Sequence, residues 1–146
     1  GRTSIPEARL IQKALPLNVR SGYTVVEYMD EVSYLSVLLE ADVIVGRSGA
    51  NTVAEIAALG KSAIFIPLPW ASYNEQYKNA QVLEKAGSAT IIRQADLTSK
   101  KLISVLIDHL RRKGIFEKSG KAFAKTVHLD AATRLSTEIV LLAHAT

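Results

Sequence analysis

Apolar residues recur along the chain in two rhythms, short β-branched runs closed by glycine or proline and longer stretches with helical spacing. Ser4-Ile5-Pro6-Glu7 reads as a helix start, with Ser4 as cap and an acidic first turn, running to about Leu15 before Pro16. Tyr23 to Glu27 reads as a strand, Tyr28-Met29-Asp30 as a loop, and Val32 to Glu40 as a helix with Leu35, Leu38 and Leu39 inward. The runs Val43 to Val45 and Ala63 to Ile66, closed by Gly46 and Pro67, predict two strands buried on both faces. Between them lies a helix with Val53, Ile56, Ala57 and Leu59 on its apolar side, stopped by Gly60. After a loop from Pro67 to Asn74, Glu75 to Ala86 predicts a helix stopped by Gly87, and Ala89 to Ile92 a fourth strand. From Thr98 onward the pattern is helical. Leu102, Ile103, Leu106, Ile107 and Leu110 form one stripe ending near Gly114, Phe116 to Lys125 a second helix, and Asp130 to about Ala143 a third.

Four strands separated by helical crossovers predict an α/β fold, a Rossmann-like parallel sheet with helices on both faces and a helical C-terminal tail. An open α/β fold usually presents a strand first, so the opening helix leads us to expect an earlier strand upstream.

Composition adds bounds. With 146 residues, 48% hydrophobic and 22% charged, the chain suits a single domain, 1–146, with a real core. No run reaches the roughly 18 apolar residues of a membrane span, the first residues lack an apolar signal core, and nothing directs export. The absence of cysteine excludes disulfides, thiolate metal sites and a cysteine nucleophile. The net charge of +4 is concentrated late: residues 1–92 carry 8 basic and 9 acidic side chains, and 93–146 carry 10 and 5. A solvated helical face explains this better than nucleic acid, for which no recognition motif joins the charge.

In a doubly wound sheet, ligands gather at the carboxyl ends of the strands. That edge comprises Tyr28, Met29, residues 46–52, residues 67–76 and Arg93. In the turn Arg47-Ser48-Gly49-Ala50-Asn51-Thr52, small residues let a ligand approach the backbone, and the helix start that follows favours a phosphate. Gly49 could instead serve only the turn. Thr52 and Glu55 have the spacing of a capping box, which on residue types alone is the better reading of Glu55. Asn74, Glu75 and Gln76, with Asn79 a turn later, could bind sugar hydroxyls or cap the next helix. Trp70 could stack on a ring, but packing against the core is the better expectation. His109, His128 and His144 are too scattered for a metal motif; no metal, no cofactor and no catalytic role for these histidines is expected.

Four blocks carry a resemblance: VVEYMDEV at 25–32, ADVIVGRSGANTVAEIAALGK at 41–61, IPLPW with EQYKNA at 66–80, and LEKAGSATII at 83–92. In this order they resemble the C-terminal, donor-binding half of the MurG-type glycosyltransferases of glycosyltransferase family 28. Members have the two-domain GT-B fold and transfer N-acetylglucosamine from UDP to lipid I, forming lipid II for peptidoglycan. The resemblance implies that Tyr28 and Met29 line the uracil pocket and that Gly49, Ala50, Asn51 and Thr52, with Arg47 and Ser48 in the same turn, face the diphosphate. It gives Glu55 the ribose hydroxyls, against the capping reading. Gln76 and Asn79 match the polar pair near the sugar, and Glu75 stands where many members have glutamine or histidine.

The resemblance further implies UDP-N-acetylglucosamine as partner, a lipid-linked acceptor held by an N-terminal domain outside this sequence, and residence at the cytoplasmic face of the cell membrane. Peripheral membrane association would be a property of the full enzyme. The catalytic histidine proposed for the family lies in that other domain, so no catalytic residue is expected here and the isolated chain should be inactive. Competing readings are a glycolipid glucosyltransferase, the donor subunit of a two-subunit transferase, a UDP-N-acetylglucosamine 2-epimerase, and a non-catalytic nucleotide-binding module.

Overall fold

The computed structural model describes residues 4–128 and 130–144. The chain divides into two compact units, Gly1–Val37 and Leu38–Thr146.

In the first unit, α1 (Ile5–Ala14) starts with Pro6 in its first turn, where the missing N–H costs nothing. Ser4 precedes it without a side-chain capping bond. After the short α2 (Leu17–Arg20), the Arg20 guanidinium folds back to donate to the Leu15 carbonyl at 2.9 Å, satisfying the end of α1. The strand expected over 23–27 does not form. A strand exists only through a ladder partner, and the other regular elements of this unit are helices. Asp30, expected in a loop, caps α3 (Glu31–Glu40): its carboxylate accepts from Ser33 N at 3.0 Å and Ser33 Oγ at 2.7 Å, which holds its pKa below the usual value. The unit boundary falls within α3, after Val37, and of the three leucines expected inward on this helix Leu38 is buried, whereas Leu35 and Leu39 are exposed.

In the second unit, β1 (Ile44–Gly46), β2 (Ala63–Phe65) and β3 (Ala89–Ile91) form a parallel sheet in the order β1-β2-β3. The described residues therefore contain three strands rather than four. Ile44 pairs with Ala63 and Ala63 with Ala89; Val45 pairs with Ile64 and Ile64 with Thr90. Side chains alternate across a strand, so this register sorts the two faces.

On one face, Ala63, Phe65 and Ala89 join Val53, Ile56 and Ala57 of α4 (Ala50–Leu59) and Ala80 and Leu83 of α5 (Glu75–Lys85) in the core. Phe123 of α7 (Lys113–Ala124) packs against that core. On the other face, Thr90 meets His109 of α6 (Ser99–Arg111). Ser62, two residues before Ile64 and on the same face, meets the other ring nitrogen. Helices thus cover both faces, as the crossovers demand. Burial of β2 on both sides is complete, but Val45 of β1 is 44% exposed. It sits on an edge strand, beyond the reach of the α6 contacts that cover β2 and β3. The final α8 (Ala131–His144) keeps Leu135, Ile139 and Leu142 exposed.

Candidate nucleotide-binding edge

Each crossover starts just past a strand end, so the carboxyl edge of the sheet collects three loops. Arg47, after β1, ties them together: its Nη1 donates to the Ile66 carbonyl after β2 and to Gln94 Oε1 after β3, both at 2.7 Å. Ser48 is fully buried, and its hydroxyl donates to the Gln76 carbonyl at 2.8 Å. Asn79 Nδ2 donates to the Ser48 carbonyl at 3.3 Å, and Leu68 N donates to Gln76 Oε1 at 3.0 Å. The two Ser48 bonds fix the turn after β1 against the start of α5, and the Leu68 bond ties the loop after β2 to the same helix. Arg47, Ser48, Gln76 and Asn79 are therefore framework for the turn, whatever else they touch.

Within this frame α4 opens on Gly49 as N-cap, with no side chain capping it. The backbone N–H groups of the first helical turn have no intrahelical acceptor, and here no cap side chain competes for them. Gly49 has φ −60° and ψ 152°, which any residue adopts, and a Cβ built on it would meet nothing within 4 Å. Neither backbone conformation nor packing requires glycine at this point. The turn-only reading of Gly49 loses its support; what the glycine leaves is open space in front of a helix start.

The same boundary removes the capping box. With Gly49 as N-cap, Thr52 is the third helical residue and Glu55 lies in the second turn. Residues three and four apart share a helix face, so Glu55 sits with Asn51 and Thr52 on one side of α4, and helical side chains lean toward the N-terminus. A half-buried carboxylate thus stands beside the open helix start.

Glu75 is exposed at the first position of α5. Ahead of it, Tyr73 and Asn74 both have positive φ, 50° and 58°. Trp70, expected to pack down, is instead 75% exposed, in a turn at Pro69 and Trp70. Tyr28 and Met29 belong to the first unit; Tyr28 is 83% exposed and Met29 half-buried.

Two residues that sequence reasoning did not single out belong to this edge. Tyr77 and Gln94 line, with Arg93, a cleft of about 230 Å³ beyond β2 and β3. The signal for Gln94 was its place just past the last strand; that for Tyr77 was its spacing on α5.

His109 is buried away from this edge, between Ser62 Oγ (2.7 Å from Nδ1) and Thr90 Oγ1 (2.8 Å from Nε2), with Phe116 stacked on its ring at 3.9 Å. Burial pushes its pKa down, with Asp108 opposing and Arg112 reinforcing. Its place is on the α6 face of the sheet, where it joins strand to helix. Among the described residues no cluster of three or more histidines and carboxylates could hold a metal ion, and no helix is long and apolar enough to cross a membrane.

Comparison with known proteins adds to this geometry. The family described as the glycosyltransferase family 28 C-terminal domain matches residues 9–135. The chain is 41% identical over 115 residues to the UDP-N-acetylglucosamine–N-acetylmuramyl-(pentapeptide) pyrophosphoryl-undecaprenol N-acetylglucosamine transferase of Oenococcus oeni, covering 79% of this chain and 30% of that protein. It is 36% identical over 145 residues to the protein of the same name in Sorangium cellulosum, covering 99% and 35%. It thus spans about a third of the length of these curated relatives. Two solved structures share the fold. MurG of Acinetobacter baumannii superposes with a TM-score of 0.75 at 24% identity, over 92% of this chain and 38% of that one. The glycosyltransferase VinC in complex with DTDP superposes with a TM-score of 0.74 at 20% identity, over 94% and 32%.

Proposed function

The chain belongs to the glycosyltransferase family 28 C-terminal domains, and from that premise we propose that it binds UDP-N-acetylglucosamine as the donor half of a transferase that delivers N-acetylglucosamine to lipid I. The observation that carries this reading is Gly49. A glycine that neither its dihedral angles nor its surroundings require stands at an uncapped helix start, where a diphosphate needs close backbone approach. The name shared by the relatives supplies the sugar and the acceptor class.

The first-turn N–H groups of α4 receive the diphosphate, and the positive end of the helix dipole favours its charge. Glu55, on the same face, accepts from the ribose hydroxyls; Asn51 and Thr52 line the turn. Gln76 and Asn79, with Glu75 before them, stand at the sugar. Arg47 and Ser48 act by positioning, since Arg47 braces the three strand ends and Ser48 is buried. In the transfer, the acceptor hydroxyl attacks the anomeric carbon and loses its proton to a base, while the bond to the UDP oxygen breaks. The base and the main acceptor-binding site are assigned to a partner domain, and this chain's principal share is to bind the donor and stabilise the departing diphosphate. The full enzyme then works at the cytoplasmic face of the membrane, where lipid-linked substrates are reached.

Titration calorimetry tests the reading. UDP-N-acetylglucosamine and UDP should bind the chain more tightly than UMP, because only they carry the phosphate that meets the helix start. Equal affinities for UDP and UMP would remove the phosphate role, and no binding of any of the three would remove the donor role.

A further inference from the structure

Beyond the ends of β2 and β3, the cleft of about 230 Å³ is lined by Pro67, Leu68, Pro69 and Asn74 of the loop after β2, by Tyr77 of α5, and by Arg93, Gln94 and Ala95 after β3. At about 30 Å³ per water this is space for roughly eight waters, below the usual range of whole-ligand pockets and suited to one group of a larger ligand. Its lining contains one cation and no acid. The guanidinium of Arg93 lies over the Tyr77 ring, 5.1 Å from the centroid, which fixes its plane. The Arg93 side chain is hydrogen-bonded to Tyr77, but it makes no ion pair among the described residues, and Asp96 acts on it only through space. Pro67, Leu68 and Pro69 give the lining its apolar part, and the same loop carries Trp70 and Tyr73, 75% and 93% exposed.

From this placement we infer that the Arg93 cleft is a second anion subsite, taking a phosphate or carboxylate that is flanked by an apolar group. The inference rests on the donor reading for whose group this is. Adjacent strands lie about 4.8 Å apart, so the cleft at β3 is displaced roughly 10 Å along the edge from the turn after β1. The nucleotide's phosphates are already met at α4, and a fixed cation two strands away serves a different molecule, the acceptor. The two places are nonetheless joined, because Gln94 in the cleft wall is held by Arg47 and Leu68 is held by Gln76. An anion seated on Arg93 is therefore in register with the donor turn.

The test uses the ¹⁵N-labelled chain with its donor site saturated by UDP and two probes: geranyl diphosphate, an isoprenoid phosphate, and N-acetylmuramic acid, a sugar carboxylate. At least one probe should shift the amides of Tyr77, Arg93 and Gln94, and Arg93→Gln should weaken that probe at least tenfold while leaving UDP affinity unchanged. Arg93 is exposed, so the variant should fold. Whichever probe shows the Arg93 dependence identifies the source of the anion. Binding that is indifferent to Arg93→Gln, shifts confined to residues 49–52 that vanish with UDP, or no binding of either probe would each overturn the subsite. Failure of the donor reading looks different: UDP would not bind, yet an Arg93-dependent probe would still be seen.

Discussion

Gly120 of α7 lies against Gly60, the left-handed residue that ends α4, so closely that a Cβ on Gly120 would sit 2.8 Å from the Gly60 carbonyl carbon and nearer still to its oxygen. The atoms in the way are backbone, which cannot step aside. This contact brings α7 onto α4 and lets Phe123 reach the core. Gly120→Ala should therefore cost about 1–3 kcal/mol or more, read as a lower urea midpoint. An unchanged midpoint would mean the two helices are not held this tightly.

Gly49 should behave in the opposite way. Its dihedral angles suit alanine, and a Cβ there meets open space. Alanine is a poorer N-cap than glycine but restricts the unfolded chain, so the two effects offset to within about 0.5 kcal/mol. We expect Gly49→Ala to keep its melting temperature and to lose UDP affinity by calorimetry, since the new methyl occupies the approach to the helix start. Intact affinity would put the diphosphate elsewhere.

Glu55→Gln distinguishes a ligand contact from a structural one. With Gly49 as N-cap, Glu55 is too deep in α4 for a capping box, so exchanging carboxylate for amide should leave the helix start as it was. UDP affinity should fall while affinity for inorganic pyrophosphate, which lacks a ribose, stays the same. A loss of equal size for both would remove the ribose assignment.

The pH dependence of stability should reveal His109. Burial lowers its pKa in the folded state below the ordinary value of about 6.5, so the unfolded chain binds the proton more readily. The stability His109 contributes is complete above pH 6.5 and is lost as the pH falls through 6.5 toward the lower folded value. Melting temperature measured from pH 7.5 to 5 should fall more steeply for the natural chain than for His109→Gln. Parallel curves would show that the buried ring does not titrate in this window.

No sugar transfer is expected from the isolated chain, even with donor and lipid acceptor in excess. Of the three histidines, His109 is committed to Ser62 and Thr90 on the α6 face, and holding an acceptor beside the anomeric carbon can be worth roughly 7–11 kcal/mol of barrier. A radiolabelled transfer assay decides this. Turnover by the chain alone that disappears in Glu75→Gln would place the base at the start of α5.

The sequence by itself determined the parts whose cause is local. Gly46, Gly60, Pro67 and Gly87 punctuate the chain where strands and helices end, and helical spacing of apolar residues located α4, α5 and α6 to within a few residues. Four ordered blocks were enough to indicate the family. What the tertiary structure decided depends on partners distant in sequence. Residues 23–27 have β-propensity but form no ladder, because pairing needs a partner strand that local propensity does not supply. Thr52 and Glu55 have capping-box spacing, yet α4 begins at Gly49 because the turn is held from outside, by Arg47 on Ile66 and Gln94 and by Ser48 on Gln76. His109, a polar residue on an amphipathic helix, is buried because the register places Ser62 and Thr90 where both ring nitrogens find a hydroxyl. The Arg93 cleft exists only because β2 and β3 end side by side. Local propensity reaches a few residues along the chain, whereas burial and hydrogen-bond satisfaction are settled by whichever elements the sheet brings together.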